Sequence, residues 1–324
     1  GPNPHPLPRQ WGVPNHGFFT VDQLDISVLE YPFQKLKSVP VTNTLLESLS
    51  LPQGKPGPVS VRTKEDATLI DLSQGLQYLQ LEGIPVLRQF VREFIQRVHP
   101  PKSDDWEVIL TLGAGDGLNK AAEAVLDPED VILVEEFTFL PFLNYVRERK
   151  AISVPIKLSL GGLPARGSLD VEYLESLLEN WSELKPGLKK PKALYTIPSG
   201  QNPIGFSQPL ETRKKVLQLA EKHDFLIIED DPYGYLALPK YKQPQSIISL
   251  NNFLEIDEYL TEHLAPLYIT LDTTGRVIRI ETFSKVFAPG LRLGFIVAPS
   301  AITKAIVGYA NVSGRSPAGP SQII

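Results

Sequence analysis

The sequence predicts an α/β fold in which a mainly parallel central sheet is covered by helices on both faces. From about residue 71 onward, near-continuous apolar segments alternate with amphipathic ones. This alternation is typical of parallel strands that are buried on both faces. The chain has 324 residues, enough for a large core, and no apolar run approaches the ~20 residues of a membrane span.

The composition excludes several classes of protein. Charged residues make up 21%, and 32 Lys and Arg against 37 Asp and Glu give a formal net charge of −5. This acidic balance argues against a nucleic-acid partner, because affinity for phosphate backbones comes mainly from clustered Lys and Arg. The absence of Cys excludes disulfides, thiolate zinc sites and a Cys nucleophile, and no metal site is predicted. With no signal peptide in the Pro-rich first residues, a cytoplasmic location away from membranes is expected.

The first 60 residues differ from the rest of the chain. Ten of the thirty prolines lie before Val59, so residues 1–60 are predicted to form an extended N-terminal arm with few regular elements. Residues 61–324 are predicted to form one large domain.

The elements of that domain are predicted from the spacing of apolar residues. A helix is expected to begin at Pro85, and another at the N-cap Asp170. In the helix that begins at Pro85, the apolar stripe consists of Leu87, Phe90, Val91, Phe94, Ile95 and Val98. Further helices are predicted over 115–126 and up to residue 150. The predicted strands cover 106–112, 131–136, 152–158, 193–198, 225–230, 277–282 and 293–298, and residues 236–266 are predicted to be an insertion or a long loop.

In such sheets, reactive groups gather beyond the carboxyl ends of the strands, where four clusters fall. The first is Gly113-Ala114-Gly115-Asp116-Gly117. Small residues let a phosphate approach the backbone, and a helix N-terminus supplies N–H donors. A plain strand-to-helix turn is one alternative. A dinucleotide site is another, because Glu135 lies 20 residues beyond Gly115, although the glycine spacing departs from G-x-G-x-x-G.

The second and third clusters follow two other strands. Residues 199–205 contain Asn202 followed by Pro203, and turn-forming residues explain most of this segment. Residues 229–233 contain Glu229, Asp230 and Asp231 in succession. Three acids just past an apolar strand are costly if they are buried without partners. A solvated loop and a cation held against one carboxylate both fit this pattern.

The fourth cluster combines hydroxyl, amine and guanidinium groups. Thr282, Ser284 and Lys285 stand at a strand end, and Arg292 follows seven residues after the lysine. A lysine in this place is usually a surface charge. Two hydroxyls and a guanidinium suit a phosphate monoester, however, and an adjacent amine suits a Schiff base with an aldehyde.

Together the clusters resemble one family, the class I, fold-type I pyridoxal-phosphate-dependent aminotransferases. Within it, the chain is most similar to the fungal aromatic amino-acid aminotransferases and the kynurenine/α-aminoadipate aminotransferases. The segments that carry the resemblance are 195–205, 225–233 and 276–285. The resemblance implies that residues 61–324 form an aminotransferase-like large domain that binds pyridoxal phosphate. The smaller C-terminal domain of the family is expected to be absent from this chain.

The resemblance also implies a role for each site residue. Lys285 would hold pyridoxal 5′-phosphate as a Schiff base and then shuttle a proton. Asp230 would pair with the protonated pyridine nitrogen, and Tyr233 and Asn202 would hydrogen-bond the phenolic oxygen. Lys285, Asp230 and Tyr233 are thus the expected catalytic residues. The other expected cofactor contacts are Phe139 on the ring; Arg292, Ser284, Thr282, Gly113, Ala114 and Gly115 at the phosphate; and Tyr78 from the second subunit of a homodimer.

The implied activity is transfer of the amino group of an aromatic amino acid, kynurenine or 2-aminoadipate to a 2-oxo acid such as 2-oxoglutarate. A pyridoxal-phosphate-dependent lyase on the same scaffold would share the cofactor residues. A non-catalytic regulator with an aminotransferase-like domain would need a basic DNA-binding module, which the Pro-rich N-terminus does not offer.

Two features depart from the family pattern. The positions of Ala114 and Gly115 often carry polar side chains in relatives, so backbone donors are expected to bind the phosphate here. After Arg292 the only arginine is Arg315, whose context does not match the residue that binds the substrate α-carboxylate. A chain that ends at Ile324 is therefore expected to bind the cofactor weakly and to transaminate negligibly. The absence of Met adds the expectation that residues are missing.

Overall fold

A computed structural model describes residues 72–161, 167–237 and 258–324, together with 14, 19–21, 23–28 and 57–62. The chain divides into two compact units. The smaller unit comprises Gly1–Gln80, Lys242–Phe253 and Ala318–Ile324, and the larger comprises Leu81–Tyr241 and Leu254–Pro317. The boundary expected at residue 60 remains a prediction.

The strands and helices of the described residues are numbered here in chain order. The strands are β1 (Gln23–Val28), β2 (Gly57–Arg62), β3 (Glu107–Thr111), β4 (Val131–Glu135), β5 (Ile152–Ile156), β6 (Leu158–Ser159), β7 (Ser168–Leu169), β8 (Pro191–Thr196), β9 (Leu226–Asp230), β10 (Val277–Thr282) and β11 (Gly294–Ala298). The α-helices are α1 (Leu72–Gly75), α2 (Pro85–Val98), α3 (Ala114–Val125), α4 (Leu140–Glu148), α5 (Val171–Glu179), α6 (Trp181–Leu184), α7 (Leu210–His223), α8 (Tyr268–Leu271), α9 (Ser300–Ala310) and α10 (Gly319–Ile323).

Seven strands of the larger unit form one sheet in the order β3-β11-β10-β9-β8-β4-β5. Strands β5, β4, β8, β9 and β10 are parallel to their neighbours in this series. Strand β11 is antiparallel to both β10 and β3, so β3 runs in the same direction as β10. The mainly parallel sheet is thus confirmed, and the carboxyl ends of all its strands except β11 lie along one edge.

Two hydrophobic cores cover the two faces of this sheet. Successive side chains of a strand point to opposite faces, and on β4 the residues Val131 and Leu133 join one core while Ile132 and Val134 join the other. Helices α2, α5 and α7 contribute to the first core, and α3, α4 and α9 to the second. The strands are near-continuous apolar runs because both faces are covered.

Most elements agree with the sequence predictions. Asp170 is the N-cap of α5 and accepts a hydrogen bond from the Tyr173 N–H at 2.8 Å, and Pro85 is the first residue of α2. The prediction for Phe90 is wrong, since its side chain is 59% exposed. Val91 and Ile95 define the buried face of α2, and Phe90 lies about 100° around the helix from Val91.

Two further segments differ from the predictions. The strand expected over 152–158 is two strands, because β6 leaves the main sheet and pairs with β7. Of the loop expected over 236–266, residues 238–257 lie outside the described residues, and the remainder contains a short π-helical turn, Tyr259–His263. No helix among the described residues is long and apolar enough to cross a membrane.

Candidate active site

One cavity of the larger unit collects the predicted site residues from the ends of five strands. Its volume is about 320 Å³. Its lining includes Ala114, Gly115, Phe139, Asn202, Asp230, Tyr233, Thr282, Ser284, Lys285 and Arg292, and it is completed by Leu118, Ile197, Pro232 and Pro289. Two predicted residues are not in this lining. Gly113 is the adjacent N-cap of α3, and Tyr78 lies in the smaller unit, 69% exposed.

The turn between β3 and α3 requires a glycine at its first position. Gly113 has a φ of +86°, and a Cβ there would lie 2.6 Å from Arg292 Nη2. No side chain caps α3, which begins at Ala114. The first N–H groups of a helix have no partner within it, and the helix dipole favours an anion at this end. This turn is therefore suited to a negatively charged group.

The segment after β10 adds hydroxyl and guanidinium donors to the same cavity. Thr282 Oγ1 and Ser284 Oγ are 2.8 Å apart, and Arg292 Nη1 lies 3.4 Å from Ser284 Oγ. Arg292 Nη2 also donates to the Leu112 carbonyl at 3.2 Å, which joins this segment to the turn before α3. Two hydroxyls, a cation and a helix N-terminus form a donor set that suits a phosphate monoester.

Lys285 is exposed and lines the cavity. Its Nζ lies 5.9 Å from the centroid of the Tyr233 ring, so the segments after β10 and β9 bring the amine and the phenol near each other. A primary amine at the wall of a cavity can be reached by a small aldehyde, and such an amine forms Schiff bases.

Asp230 is the last residue of β9 and is 4% exposed. Its Oδ2 accepts a hydrogen bond from the Tyr195 hydroxyl at 2.7 Å, whereas its Oδ1 has no partner among the described residues. Burial raises the pKa of the carboxyl to about 7, the Tyr195 hydrogen bond opposes this rise, and the neighbouring Asp231 adds to it. A buried carboxylate oxygen without a partner is costly. Asp230 is therefore suited to hold a cationic or N–H group in the cavity.

The three consecutive acids divide between the two faces of the sheet. Asp230 lines the cavity, whereas Glu229 and Asp231 point to the other face because side chains alternate along a strand. There, Arg279 Nη2 lies 2.9 Å from Asp231 Oδ2, and Nη1 lies 3.9 Å from Glu229 Oε2. Arg279 also pairs with Glu281 through Nε. The interpretation as a solvated loop is wrong, since all three acids are buried and the cation beside them is an internal arginine.

We expect Arg279→Met to destabilise the fold strongly. The substitution leaves buried carboxylates without their cation, a loss that costs about 3–5 kcal/mol. Arg276→Met is the matched control. Arg276 pairs with Asp224, which is 88% exposed, so its loss should cost less than about 1 kcal/mol. Chemical denaturation measures the free energy of unfolding for both variants, and equal losses would contradict this role for Arg279.

Glu135, at the end of β4, fixes the segment that carries Asn202. It is buried and accepts hydrogen bonds from the Thr196 hydroxyl at 2.6 Å and from the Nε2 atoms of Gln201 and Gln208 at 2.8 and 3.2 Å. Burial raises its pKa to about 7 against the opposing effect of these bonds. Because protein donors take both carboxylate oxygens, Glu135 does not supply the ribose contact that a dinucleotide site needs.

Arg213 of α7 supports the same segment from another side. Its guanidinium donates to the carbonyls of Pro198, Gln208 and Pro266 at 2.9, 3.1 and 2.8 Å. Asn202 is therefore presented by a loop that is bonded at both flanks.

Sequence reasoning missed Tyr195, Arg279 and Arg213. Each places a polar or charged group where the apolar pattern predicts burial, in β8, in β10 and on the buried face of α7. Buried polar groups need hydrogen-bonding or charged partners, so the sequence positions of these three residues could have indicated a structural role. The identity of their partners could not be predicted, because the partners lie on other strands and loops.

The seven-stranded α/β sheet brings a lysine, a carboxylate and a phosphate-type donor set together around one cavity. A comparison with family models matches residues 48–316 to the family described as Aminotransferase class I and II. The chain belongs to this family.

Individual relatives agree with this membership. The chain is 39% identical over 321 residues to Aromatic amino acid aminotransferase 2 of Saccharomyces cerevisiae, covering 97% of this chain and 60% of that protein. It is 33% identical over 264 residues to the L-tyrosine:2-oxoglutarate aminotransferase amt1 of Serpula lacrymans, covering 80% of this chain and 47% of that protein. The chain thus spans about 60% of the length of the first of these relatives.

A solved structure shows the same fold. The crystal structure of the aromatic aminotransferase Aro9 from Candida albicans matches with a TM-score of 0.85 at 49% identity. The match covers 100% of this chain and 64% of that one. The predicted fold, an aminotransferase-like α/β domain, is confirmed.

Proposed function

We propose that this protein is a pyridoxal-phosphate-dependent aminotransferase. It would move the amino group of an aromatic amino acid, or of kynurenine or 2-aminoadipate, to a 2-oxo acid such as 2-oxoglutarate. The observation that carries the proposal is the cavity in which the Lys285 amine, the Asp230 carboxylate and the donors around Arg292 meet. The names of the relatives from Saccharomyces cerevisiae and Serpula lacrymans support the aromatic donor and the 2-oxoglutarate acceptor.

The polar groups of the cavity fit both ends of pyridoxal phosphate. Arg292, Ser284, Thr282 and the N–H groups at the start of α3 would bind the phosphate. Of these donors, Thr282 and Arg292 each lie within hydrogen-bonding distance of the Ser284 hydroxyl. Asp230 Oδ1, a buried oxygen without a described partner, would hold the protonated ring nitrogen.

The remaining residues would fix the ring between these two ends. Tyr233 and Asn202 would donate hydrogen bonds to the phenolic oxygen, and Phe139 would pack against the face of the ring. All three line the cavity. The homodimer, with Tyr78 reaching the partner's site, and the cytoplasmic location remain predictions.

When bound, pyridoxal phosphate supplies an electron sink that makes the proton on the α-carbon of an amino acid removable. Lys285 Nζ would hold the cofactor covalently until an amino acid takes its place. The freed amine would then take the proton from that α-carbon and deliver it to C4′ of the cofactor, and in the second half of the transfer it would move a proton in the opposite direction. Asp230 would keep the ring nitrogen protonated, because an ionised carboxylate beside a nitrogen favours its charged form.

A panel of amino donors, assayed with 2-oxoglutarate on the full-length protein, tests the proposal. Aromatic amino acids, kynurenine or 2-aminoadipate should yield glutamate and the matching 2-oxo acid with ping-pong kinetics. Release of ammonia or pyruvate without glutamate would identify a lyase instead. Salt-dependent binding to DNA without turnover would identify a regulator.

A further inference from the structure

Tyr195 lies in β8, beside the carboxylate that ends β9. The two strands are parallel neighbours, and Tyr195 is opposite Ile228 in their register. Asp230 follows Ile228 by two residues, so it projects from the same face of the sheet. The fully buried Tyr195 side chain reaches along this face, and its hydroxyl donates to Asp230 Oδ2 at 2.7 Å.

The ring of Tyr195 is held in place by packing. Phe142 of α4 stacks on it, with ring centroids 3.8 Å apart and 16° between the planes. Both side chains belong to the core on this face of the sheet. Because cores are close-packed and their side chains sit in defined rotamers, the hydroxyl is fixed before any ligand binds.

We propose that Tyr195 is a positioning residue that fixes the Asp230 carboxylate so that Oδ1 is presented to the cofactor's ring nitrogen. The inference rests on the proposed function. With Oδ2 bonded to Tyr195, only Oδ1 remains without a partner among the described residues. Without the hydroxyl, neither oxygen would have a fixed partner, and the carboxylate would be free to rotate about its Cβ–Cγ bond.

The hydrogen bond from Tyr195 also affects the pKa of the Asp230 carboxyl. Burial and Asp231 raise the pKa of the Asp230 carboxyl, and the Tyr195 hydroxyl lowers it. On the opposite face, Arg279 partly offsets the Asp231 charge from 2.9 Å. The titratable groups that share the cavity with Asp230 are Tyr233, Lys285 and Arg292. Loss of the hydroxyl should therefore let Asp230 take up a proton at a higher pH.

The test is Tyr195→Phe in the purified protein, which removes the hydroxyl and keeps the ring. Titration of the cofactor-free protein with pyridoxal phosphate should show an affinity loss of about three- to tenfold at neutral pH, the size expected for one hydrogen bond. The pH below which affinity declines should shift upward, and the loss should shrink in alkaline buffer. With the cofactor saturating, kcat should fall while KM for the amino acid stays close to its original value.

Tyr268→Phe is the matched control. Tyr268 is equally buried, and its hydroxyl donates to Gln208 at the same distance of 2.7 Å, but neither residue lines the cavity. This variant should keep the original affinity and pH dependence. Equal losses in both variants would overturn the proposal, because they would indicate a general effect on stability.

A second variant tests the packing that holds the Tyr195 ring in place. Phe142→Leu keeps the hydroxyl but removes the stacked ring, so it should cause a smaller shift of affinity in the same direction.

Wild-type affinity and pH dependence in Tyr195→Phe would overturn the inference while the proposed function stands. Failure of the unsubstituted protein to bind pyridoxal phosphate or to transaminate would instead overturn the proposed function.

Discussion

Replacing Lys285 with Ala should abolish transamination and leave the fold intact. The side chain is exposed, so its removal creates no void in the core. Both the covalent hold on the cofactor and the proton transfer at the α-carbon would be lost. Proton transfer alone contributes about 10²- to 10⁴-fold to a rate, so turnover should fall below detection. Steady-state assays with the best amino donor, together with a thermal melt, measure both outcomes.

Chemical labelling checks the same assignment independently. Borohydride reduction of the protein with bound pyridoxal phosphate, followed by peptide mapping, should place the label on Lys285. Lys304 of α9 is also exposed and serves as the matched control, since Lys304→Ala should keep both the label and the activity. A label on Lys304 or on any other lysine would contradict the assignment.

Replacing Asp230 with Ala should lower turnover by about 10³-fold or more and cofactor affinity by only about tenfold. The carboxylate interacts most strongly with the ring nitrogen when negative charge leaves the α-carbon, and interactions that strengthen during the reaction act mainly on its rate. Loss of one charged hydrogen bond accounts for the smaller effect on affinity. Stopped-flow turnover and equilibrium titration separate the two quantities.

Asp231→Ala provides the contrast. Asp231 lies on the opposite face and is bonded to Arg279, so its loss should lower the free energy of unfolding by about 3 kcal/mol. The folded fraction should retain turnover. Should Asp231→Ala reduce turnover per folded molecule more than Asp230→Ala does, the choice of Asp230 as the ring partner would be wrong.

The sequence predicted the fold well because both faces of the sheet are covered. Apolar runs such as 131–134 are then continuous, and the helices between them show a clear apolar stripe. Strand direction is not encoded in an apolar run, so the antiparallel orientation of β11 was not predicted. The prediction for Phe90 was wrong for a similar reason. The apolar spacing of a helix indicates which face is apolar, but it does not indicate how much of that face is covered by neighbouring elements.

Four clusters of the candidate site were predicted from residue types at strand ends, and the family resemblance added Phe139, Tyr78 and the role of each residue. The predicted site residues other than Gly113 and Tyr78 line one cavity. Its supporting contacts could not be predicted. Arg279 meets Glu229 only because β9 and β10 pair in a parallel register that sets these two residues opposite each other. Tyr195 meets a carboxylate 35 residues away. Such pairings depend on the order and register of strands, which one sequence does not reveal.

The antiparallel pairing of β10 with β11 has a consequence for how this protein can evolve. Thr282 is paired with Gly294, and the Phe283 N–H donates to the Leu293 carbonyl at 3.0 Å, so Lys285 and Arg292 lie on a loop whose two ends meet. A Cβ at Gly294 would lie 2.5 Å from the Glu281 carbonyl oxygen, which closes the loop tightly. An insertion in this loop cannot be absorbed by a shift in the register of β10 or β11, because a shift of one residue turns every side chain of a strand to the other face of the sheet. Substitutions in this loop at positions other than Ser284, Lys285 and Arg292 therefore leave the spacing of the amine and the guanidinium intact, whereas a change in the length of the loop would alter that spacing.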